Sequence, residues 1–132
     1  MGVHSIAKLR REEKIVSCSD WDHTLRVWDT TTYQCVSILT NVNCANSNGI
    51  LDMGSNTILV GGTRKILRVD IRLATVETVV DESMGNVFAL LKLNDDTVLC
   101  GSDNGKIFLY DNIHKSICNE EQCPLYNFRF RR

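Results

Sequence analysis

Three segments of this chain close on an apolar or aromatic residue followed by aspartate: TLRVWD at 24 to 29, ILRVD at 66 to 70 and KIFLYD at 106 to 111. Their ends, Trp28-Asp29, Val69-Asp70 and Tyr110-Asp111, fall at a constant spacing of 41 residues. A fixed period in the 20 to 50 range is the mark of a repeat architecture and overrides any local assignment of secondary structure. The chain must therefore be built from three copies of one unit, each too small to bury its own apolar surface.

The content of the unit follows from what precedes and follows each aspartate. A second β-rich segment lies upstream: KIVSCS at 14 to 19, TILVGGT at 57 to 63 and TVLCGS at 97 to 102. Further upstream come SIAKL at 5 to 9, GILDM at 49 to 53 and VFALLKL at 87 to 93, set off by polar turns. Downstream of each aspartate are YQCVSIL at 33 to 39, TVETVV at 75 to 80 and KSICN at 115 to 119. These runs are short and rich in β-branched residues, and none holds a helical period long enough to pack a helix. The expected fold is all-β: four short antiparallel strands per unit, with units stacked face to face. Units are expected at about 4–40, 49–80 and 87–119 within a single domain, 1–132.

Residues 123–132 include LYNFRFRR, in which Phe128 and Phe130 alternate with Arg129 and Arg131. Phe128 lies one period after Val87, so this run is expected to open a fourth unit and not to be a nucleic-acid-binding tail, although aromatic and basic alternation also suits single-stranded nucleic acid.

The stretch SCSDWDHTLRVWD at 17 to 29 resembles the third-strand signature of WD-repeat β-propellers. GSDNGKIFLYD at 101 to 111 is a second, more distant copy, and GGTRKILRVD at 61 to 70 a third. The resemblance implies three consecutive propeller blades and a buried polar network joining a third-strand tryptophan, a second-strand serine, a turn aspartate and an upstream histidine. Carried over, those are Trp28, either Ser17 or Cys18, Asp22 and His4. An unsatisfied buried member would cost about 1–3 kcal/mol, which is why such groups come as a set. The second unit has Arg64-Lys65 and Val69 at the turn and tryptophan positions, and the third has Asn104 and Tyr110, so apolar packing must carry more of their stability. Trp28 is expected between blades, and Trp21 is expected on the rim.

No chemistry-bearing cluster emerges. His4, His23 and His114 sit in different units, and Cys118 and Cys123 lack a second ligand pair at zinc spacing. Gly61-Gly62 and Gly101 to Gly105 lack the lysine and following helix of a phosphate loop and read as hairpin turns. Six cysteines in a chain whose first 20 residues are polar read as reduced small hydrophobes. No enzyme activity, cofactor or metal is expected.

Lysine and arginine total 15 against 16 acidic residues, a formal net charge of -1, which gives no electrostatic reason to expect nucleic acid. No run approaches the roughly 18 apolar residues of a membrane span, so a membrane is not an expected partner and the expected address is cytoplasmic, with the nucleus as the alternative.

The resemblance implies a scaffold or adaptor for other proteins or peptides. The alternative is a regulatory or substrate-recruiting portion of a larger enzyme complex such as a ubiquitin ligase. Trp21, Arg64 and Asp103 occupy equivalent turns and are the candidate partner-binding rim, with Trp21 as the aromatic anchor; packing on a neighbouring loop is its alternative role. Propellers usually close with about four to eight blades. Three leave two faces open, so additional blades or self-association are expected.

Overall fold

A computed structural model describes residues 3, 5–19, 21–42, 44, 49–80 and 85–118. Every element among them is a strand, turn or loop. Blade 1 comprises β1 (Ser5–Lys8), β2 (Lys14–Ser19), β3 (Thr24–Asp29) and β4 (Gln34–Leu39). Blade 2 comprises β5 (Ile50–Gly54), β6 (Thr57–Gly62), β7 (Lys65–Asp70) and β8 (Thr75–Val80). Blade 3 comprises β9 (Val87–Asn94), β10 (Thr97–Ser102), β11 (Ile107–Asp111) and β12 (Ser116–Cys118). Each blade is an antiparallel meander in chain order, giving three separate four-stranded sheets. The segment at 123–132, expected to begin a fourth unit, lies outside the described residues, as does His4.

The repeated aspartate ends the third strand of every blade because it builds the turn that follows. Asp29 Oδ1 accepts from Thr31 N at 2.7 Å, Asp70 Oδ1 from Leu73 N at 2.8 Å and Asp111 Oδ1 from Ile113 N at 2.9 Å. The last turn residue then takes a left-handed conformation: Tyr33 at φ 60°, Ala74 at φ 55° and Lys115 at φ 53°. These three are also one period apart, so the repeat extends to backbone angles. A left-handed residue closing a turn matches the strand twist and sets the register of the next strand.

Alternation assigns the two faces of each blade. We call the face toward the preceding blade the back and the other the front. The front of blade 1 (Val16, Cys18, Leu25, Val27) packs on the back of blade 2 (Ile58, Val60, Leu67, Val69) in one core. Leu59 and Ile66 on the front of blade 2 pack on the back of blade 3 (Val98, Cys100, Phe108, Tyr110) in another. Strand β6 is buried along its whole length because its blade has a neighbour on both sides. Strand β10 alternates instead, burying Val98 and Cys100 while Thr97 and Leu99 remain half-buried.

Two expectations need correction. Gly61 and Gly62 form the end of β6 and not a hairpin turn. The reason is space: a Cβ on Gly61 would stand 2.3 Å from the Val87 carbonyl oxygen, so only glycine lets β9 approach β6 this closely. Trp28 is half-buried where full burial between blades was expected. It does take the back-face position equivalent to Val69 and Tyr110, both fully buried, but among the described residues no blade stands behind blade 1.

Candidate partner-binding rim

The β2–β3, β6–β7 and β10–β11 turns lie at one end of the three sheets, beside the connections between blades. Backbone hydrogen bonds tie the turns to those connections: Val42 N to His23 O at 2.8 Å, Arg64 N to Gly85 O at 2.8 Å and Asp103 N to Asn86 O at 3.0 Å. The 85–86 segment thus clamps the turns of blades 2 and 3 together. Its glycine has φ 69°, and a Cβ there would sit 2.7 Å from Asp103 Oδ1.

Trp21 is 67% exposed, with its backbone N–H donating to Ser19 Oγ at 3.3 Å. The indole stands outside both apolar cores. Asp22 beside it is also exposed. Its Oδ1 accepts from the Thr24 hydroxyl at 2.7 Å and the Thr24 backbone N–H at 3.1 Å, and Arg26 stands 3.8 Å from Oδ2. The Thr24 hydroxyl is the main cause holding this carboxyl below its ordinary value, with the charge of Arg26 adding to it.

Arg64 is exposed and left-handed at φ 56°, as is His23 at the same angle in blade 1. Asp103 is exposed, but both its oxygens are committed: Oδ1 to Asn86 N and Oδ2 to Asn86 Nδ2, each at 2.9 Å. Asn104 takes the capping place that Asp22 has in blade 1, accepting from the Ser102 hydroxyl and from Lys106 N.

Of the residues expected to form one buried polar network, Trp28 Nε1 donates to Ser17 Oγ at 2.9 Å, which settles the choice between Ser17 and Cys18. Ser17 lies on the back face with Trp28, whereas Cys18 points into the core with blade 2. Asp22 is engaged by Thr24 and Arg26, so its carboxylate serves its own turn. In blade 3 the same two places hold Tyr110 and Cys100. Tyr110 keeps a buried hydroxyl without a protein partner, and burial pushes its acidity down by raising its pKa, against the pull of Arg68.

Sequence reasoning missed Gly85 and Asn86, whose role appears only once two blades are side by side. It also missed a cavity of about 640 Å³ at the opposite end, where Arg10, Arg11, Asp52, Arg68, Lys92 and Asn112 meet from all three blades. Asp52 there accepts from Arg10 N and Gly54 N, both at 2.8 Å, tying the first turn of blade 1 to blade 2. Among the described residues no group of three or more His, Cys, Asp or Glu is arranged to hold a metal.

No family model and no curated protein matches the chain. Solved structures do. The WD40 β-propeller domain of Doa1 superposes with a TM-score of 0.74 at 12% identity, covering 89% of this chain and 39% of that one. U3-55K and the RRP9 WD40 repeats each give 0.70 at 16% identity, covering 90% of this chain and 37% of theirs. The fold is that of consecutive WD40 β-propeller blades. The computationally designed Ika4 protein is similar at 0.71 and 18% identity, with 89% of this chain and 71% of that one covered. This three-blade arc thus spans well under half of the Doa1, U3-55K and RRP9 chains it resembles, and the likeness at these identities is one of fold.

Proposed function

We propose that this chain is a non-catalytic WD-repeat scaffold that binds a protein or peptide partner at the rim formed by its β2–β3, β6–β7 and β10–β11 turns. The observation that carries the reading is Trp21: a large aromatic, 67% exposed, on a turn held rigid by Asp22 and by the Val42–His23 bond. Aromatic and arginine side chains supply most binding hot spots, and an anchor on a rigid support loses little entropy on binding. Arg64 places a cation on the next turn. Asp103 contributes charge to the third, but its carboxylate also serves the Asn86 clamp.

The scaffold has two ways to extend, by further blades or by self-association. The reading places it in the cytoplasm, with the nucleus as the alternative address. Folded Trp21→Ala/Arg64→Glu protein, verified by circular dichroism, should lose most partner recovery in a pull-down from cell extract. Unchanged recovery by the folded double variant removes the rim from the account. Recovery of a catalytic subunit by the wild type would favour a substrate-recruiting role within a larger enzyme complex, such as a ubiquitin ligase.

A further inference from the structure

In every blade the residue after the third strand donates its backbone N–H into the turn between the first two strands: Thr30 N to Glu13 O, Ile71 N to Asn56 O and Asn112 N to Asp96 O, each at 2.8 Å. This bond fixes which residues of the three turns correspond, and their chemistry differs. Blade 2 has Gly54-Ser55-Asn56 and blade 3 has Asn94-Asp95-Asp96, whereas blade 1 has Arg11-Glu12-Glu13 with Arg10 before it. The smallest turn belongs to the middle blade, and the cavity of about 640 Å³ opens over it.

That cavity continues along the seam between blades 1 and 2. A second one, of about 520 Å³, lies there, and Glu12 and Asn56 line both. Together they form a groove from Lys92 and Asp95 of blade 3, past the blade 1 turn, to Val36 of β4 and Ala74 just before β8. Six cations and three carboxylates line it, on a chain whose formal net charge is -1. Half of those cations are engaged: Lys92 with Asp95 at 3.2 Å, Arg68 with Glu77 at 3.6 Å and Lys14 with Glu12 at 3.4 Å. Arg10, Arg11 and Arg72 are exposed and have no ion pair among the described residues.

The blade 1 turn is held still while its guanidinium groups stay free. Arg10 N donates to Asp52 Oδ2 at 2.8 Å, Leu9 N to Lys14 O at 3.0 Å and Lys8 Nζ to Glu12 O at 2.8 Å. None of these bonds uses an arginine side chain. Glu12 Oε2 is buried and accepts no hydrogen bond among the described residues, with the Lys14 ammonium 3.4 Å away. A buried acceptor left unmade is costly. Glu12 borders both cavities, so a ligand lying along the groove meets two free cations and, next to them, an acceptor that needs a donor.

We propose that this groove takes an extended acidic peptide of a partner protein, at a site separate from the rim at the other end of the blades. Arg10 and Arg11 receive a side-chain carboxylate of the peptide in charge-assisted hydrogen bonds, and Glu12 Oε2 accepts one of its backbone N–H groups. A peptide carries both groups within adjacent residues. Single-stranded nucleic acid brings negative charge, but its bases are held by aromatic platforms, and no aromatic residue is among those lining either cavity. All the walls belong to blades 1 to 3 and the seams between them, so the site stands with or without further blades.

Fluorescence anisotropy tests this with short fluorescein-labelled peptides in which glutamate alternates with alanine, serine or valine, and with lysine-for-glutamate peptides as controls. The glutamate peptides should bind the wild type and the lysine peptides should not. Arg10→Ala/Arg11→Ala should weaken binding by about tenfold or more, and Arg10→Glu/Arg11→Glu should reverse the preference. Neither guanidinium bonds to the described chain, so the melting curves of both variants should match the wild type. Glu12→Ala gives the sharper readout. Charge attraction alone would make removal of a carboxylate beside an acidic peptide strengthen binding, whereas an N–H held by Oε2 makes the same change weaken it. The inference is overturned if no glutamate peptide binds, if either arginine variant binds as the wild type does, or if Glu12→Ala does not weaken binding. A short oligouridylate that binds more tightly than every peptide overturns it as well. Trp21→Ala should leave peptide affinity unchanged; loss of binding there would put the peptide on the rim instead. Failure of the groove and failure of the rim are therefore separate results.

Discussion

Gly61→Ala should be among the most damaging single-methyl additions in this protein, and Gly101→Ala, at the corresponding place in blade 3, should be harmless. The Gly61 Cβ would stand 2.3 Å from the Val87 carbonyl oxygen and 3.1 Å from Val87 Cγ1. Ordinary carbon–oxygen contact is about 1 Å longer, so β9 would have to withdraw from β6 by a comparable distance. Overpacking of this kind costs about 1–3 kcal/mol. A radial gap of that size also forfeits roughly a quarter to a half of each dispersion contact across it. The opposing gain, from a stiffer unfolded chain, is only about 0.4–1 kcal/mol.

The net for Gly61→Ala, with the lost dispersion added to the overpacking and the unfolded-state gain subtracted, is then a loss of about 1–3 kcal/mol. At Gly101 the new methyl meets only the Ala89 Cβ, at 3.6 Å, which is ordinary contact. There the unfolded-state gain remains, and the net is between zero and about 1 kcal/mol of stabilisation. For a domain of this length each kcal/mol moves the melting temperature by about 3–5 °C. The variants should therefore melt roughly 10 °C apart, measured by circular dichroism with urea midpoints as a check. If their stabilities agree within about 1 kcal/mol, the close approach of β9 to β6 is not what requires glycine at 61, and the packing of blade 2 on blade 3 has been misjudged.

Because Trp28 is half-buried, Trp28→Ala should fall below the roughly 3–5 kcal/mol of a full core truncation, and Ser17→Ala should cost about 0.5–1.5 kcal/mol for the lost indole hydrogen bond; urea titration of both distinguishes this from a sealed site. Asp29 and Asp111 are held below their ordinary 3.8, chiefly by the Thr31 hydroxyl and by His114 respectively. Their contribution is present above that value and lost as pH falls through the lower folded one, so the melting difference between wild type and Asp29→Ala/Asp111→Ala should shrink from about pH 5 to about pH 3. A difference independent of pH would refute it.

The strands were readable because their signal is local. The aspartate that caps the turn after the third strand stands at that strand's end in every blade, and the left-handed residues at 33, 74 and 115 repeat with it although Tyr, Ala and Lys share no side-chain chemistry. The exposure of Trp21 was readable too, since a tight turn leaves a bulky side chain no inward direction. Burial of Trp28 was not. Its orientation follows from alternation, but its environment depends on whether another sheet stands behind it. Gly61 misled for a related reason: a Gly-Gly pair before a polar dipeptide has the composition of a turn, and only the position of Val87 in the next blade reveals a close approach. The Asn86 clamp and the Arg10–Arg11 cavity likewise arise from residues in different blades, beyond the reach of spacing along one.

The blades are alike in backbone and unlike in what fills them, and the differences follow the number of neighbours. At the tryptophan position and the one two residues earlier, blade 1 has Trp28 and Arg26, blade 2 has Val69 and Leu67, and blade 3 has Tyr110 and Phe108. In blades 2 and 3 these side chains lie inside an inter-blade core, where an unpaired guanidinium would be costly to desolvate. In blade 1 the face is partly open, so Arg26 remains in water beside Asp22 and Trp28 can place its indole N–H on Ser17. Tyr110 shows the converse. Enclosed by blade 2, it buries a hydroxyl that Cys100, in the place of Ser17, does not satisfy. Such a group costs about 1–3 kcal/mol unless paired. Tyr110→Phe, which keeps the ring and removes the hydroxyl, should therefore leave the protein as stable or raise its stability by about 1 kcal/mol. Equilibrium urea unfolding decides it: a loss of more than about 1 kcal/mol would mean that the hydroxyl is bonded in solution and that the blade 2–blade 3 core is better satisfied than its packing indicates.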